Sequence, residues 1–154
     1  MSKIFSVDVC LSPGLYDLYA ANNSIVIMLD AIRASASICT ALMNKAEFVL
    51  PVSDQEIARS YKNQAFVIAG ERDGETIKGF DFGNSPFNFS EENIRGKKLA
   101  FTTTNGTQVV NLVKDGKNTG IELLIGSFIN ISALTDRIEK AEKDVLILCS
   151  AWKG

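Results

Sequence analysis

Short apolar segments alternate along the chain with segments of helical periodicity. The apolar runs predict seven strands, over residues 4–10, 24–30, 47–50, 65–69, 98–103, 121–125 and 144–149. The segments between them predict four helices, over residues 34–44, 53–63, 107–114 and 132–142. Continuous runs of Val, Ile and Leu are typical of parallel strands that are buried on both faces. The pattern therefore predicts an α/β fold, a three-layer sandwich with a mostly parallel sheet.

Two local signals refine this picture. Ser53 and Glu56 form a Ser-x-x-Glu pattern, which predicts a capping box at the start of the second helix. Residues 72–95 are rich in glycine and contain Pro86, and they predict a long loop. A loop of this length inside a compact domain is usually functional.

The composition is that of an ordinary globular domain. Of the 154 residues, 46% are hydrophobic and 22% are charged, and the formal net charge is −2. We therefore expect neither nucleic acid nor a membrane as a partner. The most apolar stretch, residues 24–43, contains Asp30 and Arg33 and is not a membrane span. Three well-separated cysteines indicate reduced thiols and a cytoplasmic protein.

The chain contains no histidine. This excludes Ser-His-Asp and Cys-His catalysis, as well as metal sites that are built on imidazole. The acid–base groups of an enzyme would then be carboxylates, Lys, Tyr or Cys. A metal would be held by oxygen ligands, which points to Mg²⁺, Ca²⁺ or Mn²⁺.

A hydroxyl-rich turn between a predicted strand and a predicted helix is the first candidate for ligand binding. The free N–H groups and the dipole at the start of a helix favour an anion, and glycine lets the backbone approach it closely. The predicted phosphate-binding residues of this turn are Thr103, Thr104, Asn105, Gly106 and Thr107. The alternative is that Thr and Asn only cap the helix.

Charged side chains follow other predicted strands. Asp30 and Arg33 follow the second strand, and Glu71 follows the fourth. Because α/β sheets bind ligands at the carboxyl ends of their strands, we expect these side chains on one rim with the Thr-rich turn. Walker and dinucleotide-binding patterns are absent from the sequence. The remaining route to phosphate-ester cleavage is a divalent cation held by carboxylates, with Arg33 as a fork-shaped donor to the phosphate.

Four segments resemble the 2-phosphosulfolactate phosphatase family. They are LDAIRASASI at residues 29–38, GERDGETIKGFDFGNSP at 70–86, FTTTNGT at 101–107 and GSFIN at 126–130, in matching order and spacing. The resemblance implies a Mg²⁺-dependent phosphatase that hydrolyses 2-phosphosulfolactate, or a related small phosphorylated acid, to sulfolactate and phosphate. In some organisms this step serves coenzyme M biosynthesis.

The resemblance and the strand ends together define the expected site. The predicted catalytic residues are Asp30, Arg33 and Glu71. The predicted Mg²⁺ ligands are Asp30, Glu71 and Asp81. We expect Asn84 and Ser85 to join Arg33 and the Thr-rich turn in binding the phosphorylated substrate.

An alternative account of the carboxylates stays open. Asp30 would cap the helix that follows it, and Glu71 would pair with Arg33 or Arg72. Two other classes of function also stay open. One is a non-catalytic α/β domain that binds phosphate or sulfonate, and the other is an assembly domain whose sheet edge pairs with another copy.

The family pattern continues beyond residue 154 with a Ser-x-Glu-Asp segment and several helices. We therefore expect residues 1–154 to form a single α/β domain, the N-terminal portion of a longer family-type chain. We expect this chain alone to be weakly active or inactive. Exposed apolar surface promotes self-association, so a homodimer or a larger homo-oligomer is expected.

Overall fold

The computed structural model describes residues 5–151, and the strands of this part of the chain form two sheets. The first sheet contains β1 (Val7–Cys10), β2 (Ile25–Leu29), β7 (Glu122–Gly126) and β8 (Val145–Cys149). The second contains β3 (Phe48–Pro51), β4 (Val67–Arg72), β5 (Glu75–Thr76) and β6 (Lys98–Thr102). The strand orders are β1-β8-β2-β7 and β3-β6-β4-β5, and every pairing is parallel except that of β4 with β5.

Six α-helices lie in the same part of the chain. They are α1 (Tyr16–Tyr19), α2 (Ala34–Met43), α3 (Gln55–Tyr61), α4 (Glu91–Ile94), α5 (Gly106–Asp115) and α6 (Ile131–Ala141). Short 3-10 helices lie at Pro13–Leu15, Lys62–Gln64, Pro86–Asn88 and Phe128–Asn130. Within residues 5–151 we find no helix with the length and apolar character that a membrane crossing requires.

Helices α2 and α5 fill the space between the two sheets. One apolar core joins Met28 of β2 and Phe101 of β6 to Ile38 of α2 and Val109 of α5. On the outer faces, α6 covers the first sheet through Leu134, and α3 packs on β4 and β6 of the second. The layers therefore run in the order α6, first sheet, α2 with α5, second sheet and α3.

The predicted α/β fold with mostly parallel strands is confirmed. All seven predicted strands and all four predicted helices correspond to elements of the structure, although Ile4 of the first strand lies outside the described residues. The predicted three-layer sandwich around a single sheet is not what the structure has, because the strands are divided between two sheets that share one helical layer. Strand β2 shows why the apolar runs are continuous, because Ile25, Val26, Ile27 and Met28 are all buried between helices on both faces.

Residues 72–95 contain more secondary structure than the predicted long loop. Strand β5 pairs with the end of β4, Phe82 forms a bridge with Ala69, and α4 follows. The prediction of one long loop is therefore wrong. A strand of two residues, such as β5, and a helix of about one turn, such as α4, are too short to show the periodicity from which strands and helices are predicted.

The start of α3 also differs from the prediction. Asp54, not Ser53, is the N-cap, and its carboxylate accepts hydrogen bonds from the N–H groups of Glu56 at 2.8 Å and Ile57 at 2.9 Å. The predicted capping box is wrong. A carboxylate satisfies the same free N–H groups and also interacts favourably with the helix dipole.

This cap gives a test of the local fold. We expect Asp54→Ala to lower the free energy of unfolding by about 1 kcal/mol, because two N–H groups of α3 lose their acceptor. Ser53→Ala is the matched control and should change stability little. Urea denaturation of both variants measures the difference, and equal losses would contradict the assignment of Asp54 as the cap.

Candidate active site

A cavity of about 310 Å³ opens where strands of both sheets end. From the first sheet, Asp30 follows β2 and Ser150 follows β8. From the second sheet, Glu71 lies near the end of β4, and Asn105 lies between β6 and α5. Residues at the carboxyl ends of strands from both sheets therefore line one cavity. The sequence predicted such a shared rim, but for the strands of a single sheet.

The two central helices both begin at this cavity. Gly106, the first residue of α5, lies so close to α2 that a Cβ atom there would approach the Cβ of Ala34 to 3.2 Å and Oδ2 of Asp30 to 3.6 Å. Only a small residue allows this approach. The glycine of the Thr-rich turn thus brings the start of α5 against Asp30.

Asp30 both caps α2 and lines the cavity. Its carboxylate accepts hydrogen bonds from the backbone N–H groups of Arg33 and Ala34 and from the hydroxyl of Ser150. Its own N–H donates to Oγ of Ser35 at 2.9 Å, which closes the turn. The capping role and the predicted site role are therefore compatible.

The Asp30 carboxyl group lies in an unfavourable place for a charge. Burial raises its pKa above the ordinary value of 3.8, and the negative charge of Glu71 raises it further. The hydrogen bonds from Ala34, Ser150 and Arg33 lower the pKa and only partly offset these effects. A cation next to the two carboxylates would relieve their repulsion.

Glu71 is buried, with 6% of its surface exposed. Its Oε2 accepts a hydrogen bond from the N–H of Gly74, and its Oε1 accepts one from the N–H of Thr104, both at 2.8 Å. The side chain thus ties the turn after β4 to the turn after β6. Within residues 5–151 it forms no ion pair with Arg33 or Arg72. The alternative pairing of Glu71 is therefore not what the structure has.

Arg33 lines the same cavity. Its Nη2 donates to the backbone oxygen of Gly74 at 3.2 Å. In the part of the chain that the structure describes, the guanidinium forms no salt bridge with a carboxylate. Its other N–H groups can therefore donate to an anion in the cavity.

The Thr-rich turn is used mostly inside the protein. The N–H of Gly106 donates to Oγ1 of Thr103 at 3.1 Å, and Oγ1 of Thr107 donates to the carbonyl oxygen of Thr103 at 2.9 Å. The N–H of Thr104 is bound to Glu71. Of these residues, Asn105 lines the cavity, whereas Thr103 and Thr107 are buried in the fold.

Asn84 lies at the cavity, and its neighbour Ser85 does not line it. Asn84 is 7% exposed, and its carbonyl oxygen accepts a hydrogen bond from Oγ of Ser37 at 3.1 Å. Its side-chain Oδ1 is buried and has no hydrogen-bond partner in the described chain. Ser85 instead begins the 3-10 helix Pro86–Asn88.

Asp81 lies away from the cavity lining. Its Oδ1 pairs with Nζ of Lys62, and its Oδ2 accepts from the N–H of Ile68, both at 2.9 Å. The structure therefore does not bring Asp81 together with Asp30 and Glu71. Among the described residues, no group of three or more His, Cys, Asp or Glu side chains is arranged to hold a metal ion.

Ser150 belongs to the site and is not among the residues predicted for it from the sequence. Ser150 is 8% exposed and contacts Asp30, and the neighbouring Cys149 and Ala151 also line the cavity. The available signal was its position directly after a predicted strand, as for Asp30. A serine at such a position more often caps a helix, so the residue type alone gives no reason to select it.

The fold and the cavity define an α/β protein with a two-carboxylate site at the carboxyl ends of its strands. Residues 10–154 match the model of the 2-phosphosulpholactate phosphatase family, and the chain belongs to this family. The resemblance seen in the sequence is confirmed.

Similar proteins carry the same description. A probable 2-phosphosulfolactate phosphatase of Caldanaerobacter subterraneus subsp. tengcongensis is 38% identical over 133 residues, which are 84% of this chain and 54% of the relative. One of Thermotoga maritima is 38% identical over 128 residues, 83% of this chain and 54% of the relative. One of Clostridium acetobutylicum is 36% identical over 152 residues, 96% of this chain and 63% of the relative. The chain thus spans less than two thirds of these relatives' length.

The electrostatics of Asp30 predict a gain in stability on its neutralisation. A carboxyl group whose pKa is raised by folding contributes stability below its ordinary pKa, and this contribution is lost as the pH rises through the raised value. In the presence of EDTA, Asp30→Asn should therefore stabilise the protein relative to the wild type at pH 7. The stability difference should shrink as the pH falls towards about 4.

Asp81→Asn is the matched control for this prediction. Its carboxylate is paired with Lys62 and with a backbone N–H, so neutralising it should lower stability. Urea denaturation of both variants at several pH values gives the comparison. A loss of stability for Asp30→Asn at pH 7 would contradict the account of this carboxyl group.

Proposed function

We propose that this chain carries metal- and substrate-binding residues of a Mg²⁺-dependent phosphatase. Its substrate would be 2-phosphosulfolactate or a related small phosphorylated acid, and its products sulfolactate and phosphate. The observation that supports this proposal is that Asp30, Glu71 and Arg33, which come from both sheets, line one cavity in a member of this family. The substrate is the one named for the relatives.

Asp30 and Glu71 are the residues that would hold Mg²⁺. Mg²⁺ sites commonly use one or two carboxylates and complete their shell with water, so this pair is sufficient. Each Glu71 oxygen accepts one backbone hydrogen bond and keeps a second lone pair. The bound ion would polarise the phosphoryl oxygens. Asp81 is not included, because it does not line the cavity and its carboxylate pairs with the ammonium group of Lys62.

The charge of the cavity supports the same proposal. Its lining holds two carboxylates and one guanidinium, so it repels an anionic substrate as it stands. A divalent cation at the carboxylates would give the lining a net positive charge. A phosphorylated acid therefore needs the cation for binding as well as for reaction.

Arg33, Asn84 and Asn105 would orient the substrate. The guanidinium of Arg33 matches the geometry of phosphate oxygens with two parallel donors. The two ends of the Asn84 amide are interchangeable by rotation, so it can present either its NH₂ or its oxygen to the cavity. A buried amide oxygen without a partner is unfavourable, and after rotation the NH₂ group at this place would donate to a bound acid group.

Phosphate release tests the proposal directly. This chain is incubated with 2-phosphosulfolactate in EDTA and in Mg²⁺, and phospholactate serves as the comparison without a sulfonate group. Weak, Mg²⁺-dependent release is expected, because the sequence predicts low activity for this chain alone. Binding without release would favour the non-catalytic phosphate- or sulfonate-binding domain. If neither Mg²⁺ nor the substrate binds, the proposal is wrong.

The expected homo-oligomer, the cytoplasmic location and the link to coenzyme M biosynthesis stay predictions.

Arg33→Lys gives a sharper test of substrate binding. Lys keeps the positive charge and loses the paired donors, so we expect the affinity for the phosphorylated acid to fall about tenfold, or about 1.4 kcal/mol. Isothermal titration in the presence of Mg²⁺ measures it. The control is Arg137→Lys on α6, where the guanidinium pairs with Glu122. Equal affinities for the wild type and Arg33→Lys would argue against Arg33 as the phosphate ligand.

A further inference from the structure

Two serines flank Asp30 in the first sheet. Strand β2 lies between β7 and β8, and the three strands end in register. Ser127 directly follows β7, and Ser150 directly follows β8, so they occupy equivalent positions on either side of Asp30. The sheet thus supplies a natural pair of residues with the same chemistry and similar burial, 7% and 8% exposed.

The two hydroxyl groups have different partners. Oγ of Ser127 accepts a hydrogen bond from the N–H of Ile129 at 3.4 Å and caps the 3-10 helix Phe128–Asn130. The hydroxyl of Ser150 donates to the carboxylate of Asp30, and Ser150 lines the cavity. Only one of this pair therefore contacts the candidate site.

Ser150 is itself fixed by the sheet. Its N–H donates to the carbonyl oxygen of Leu29 at 3.0 Å, which extends the pairing of β2 with β8 by one residue. The other hydrogen bonds that hold the Asp30 carboxylate come from its own turn, from Arg33 and Ala34. Ser150 thus connects this carboxylate to a neighbouring strand.

This connection restricts the Asp30 side chain. The terminal torsion of an aspartate has a broad energy minimum, so its carboxylate rotates unless a partner holds it. A fixed donor restricts this rotation before a ligand arrives. The side chain therefore loses less conformational entropy when the ligand binds. Carboxylates that ligate metals are commonly held by such outer hydrogen bonds, and their removal typically weakens metal binding 10–100-fold.

We infer that Ser150 is a positioning residue, which holds the Asp30 carboxylate in the orientation that binds the divalent cation. The inference rests on the proposed function, because it needs Asp30 to be a cation ligand. It adds a residue from β8 to a site that the sequence motifs place on β2, β4 and the turn after β6.

Mn²⁺ binding to the whole chain tests the inference without requiring turnover. Free Mn²⁺ is measured by its electron paramagnetic resonance signal during titration. Ser150→Ala should weaken Mn²⁺ binding about tenfold. Ser150→Thr keeps the hydroxyl and should restore most of the affinity. Ser127→Ala is the matched control, which should lower stability through loss of the cap and leave the Mn²⁺ affinity unchanged.

A second pair of variants tests the inference even if Ser150→Ala misfolds. Ser150→Val and Ser150→Thr have nearly the same shape and differ in the hydroxyl group, so weaker binding for Val than for Thr supports the inference even if Ser150→Ala does not fold. Equal affinities for Val and Thr would overturn it, and so would equal losses for Ser150→Ala and Ser127→Ala.

The result that would refute the proposed function differs from the result that would refute the inference about Ser150. If the wild type and Asp30→Asn bind Mn²⁺ equally, or if neither binds it, Asp30 is not a cation ligand and both proposals are wrong. If Asp30→Asn abolishes binding and Ser150→Ala has no effect, the inference about Ser150 is wrong and the proposed metal site stands.

Discussion

The candidate site depends on the burial of the Asp30 carboxyl group in a cavity that it shares with a second carboxylate, Glu71. Asp30 and Glu71 come from different sheets. Backbone N–H groups of its own turn hold Asp30, whereas Glu71 is held by N–H groups of two different turns. The hydrogen bonds to Asp30 reduce the cost of burying its charge but do not remove it, since the pKa of Asp30 stays raised. The fold keeps a locally unfavourable arrangement that a divalent cation would stabilise, as functional sites commonly do.

The shared helical layer explains how the two sheets supply one site. Helices α2 and α5 lie between the sheets and both begin at the cavity, where Gly106 allows them to approach each other. Glu71 then ties the start of α5 to the hairpin of β4 and β5. The same side chain thus contributes to the fold and to the candidate site, so its replacement would change both.

Much of the fold was predictable, because seven of the described strands and the four longest helices each show their own pattern of apolar positions. Strand β2, for example, is buried on both faces and is apolar throughout. The division into two sheets was not predictable, since an apolar run does not encode which strand it pairs with. In the site, strand ends located Asp30, Arg33 and Glu71 correctly at one cavity. Local motifs do not specify side-chain direction or neighbouring strands. For this reason the sequence could not show that the threonines face inward, that Asp81 lies away from the cavity or that Ser150 lines it.

In the function proposed for this chain, Asp30 and Glu71 form one cation site between the two sheets. Anomalous diffraction from crystals of this chain grown with Mn²⁺ tests it most directly. We expect an anomalous peak in the cavity, within bonding distance of the Asp30 carboxylate and on the side that faces Glu71. A peak beside Asp81 and none in the cavity, at a Mn²⁺ concentration that saturates the protein in solution, would show that Asp30 and Glu71 do not hold the cation.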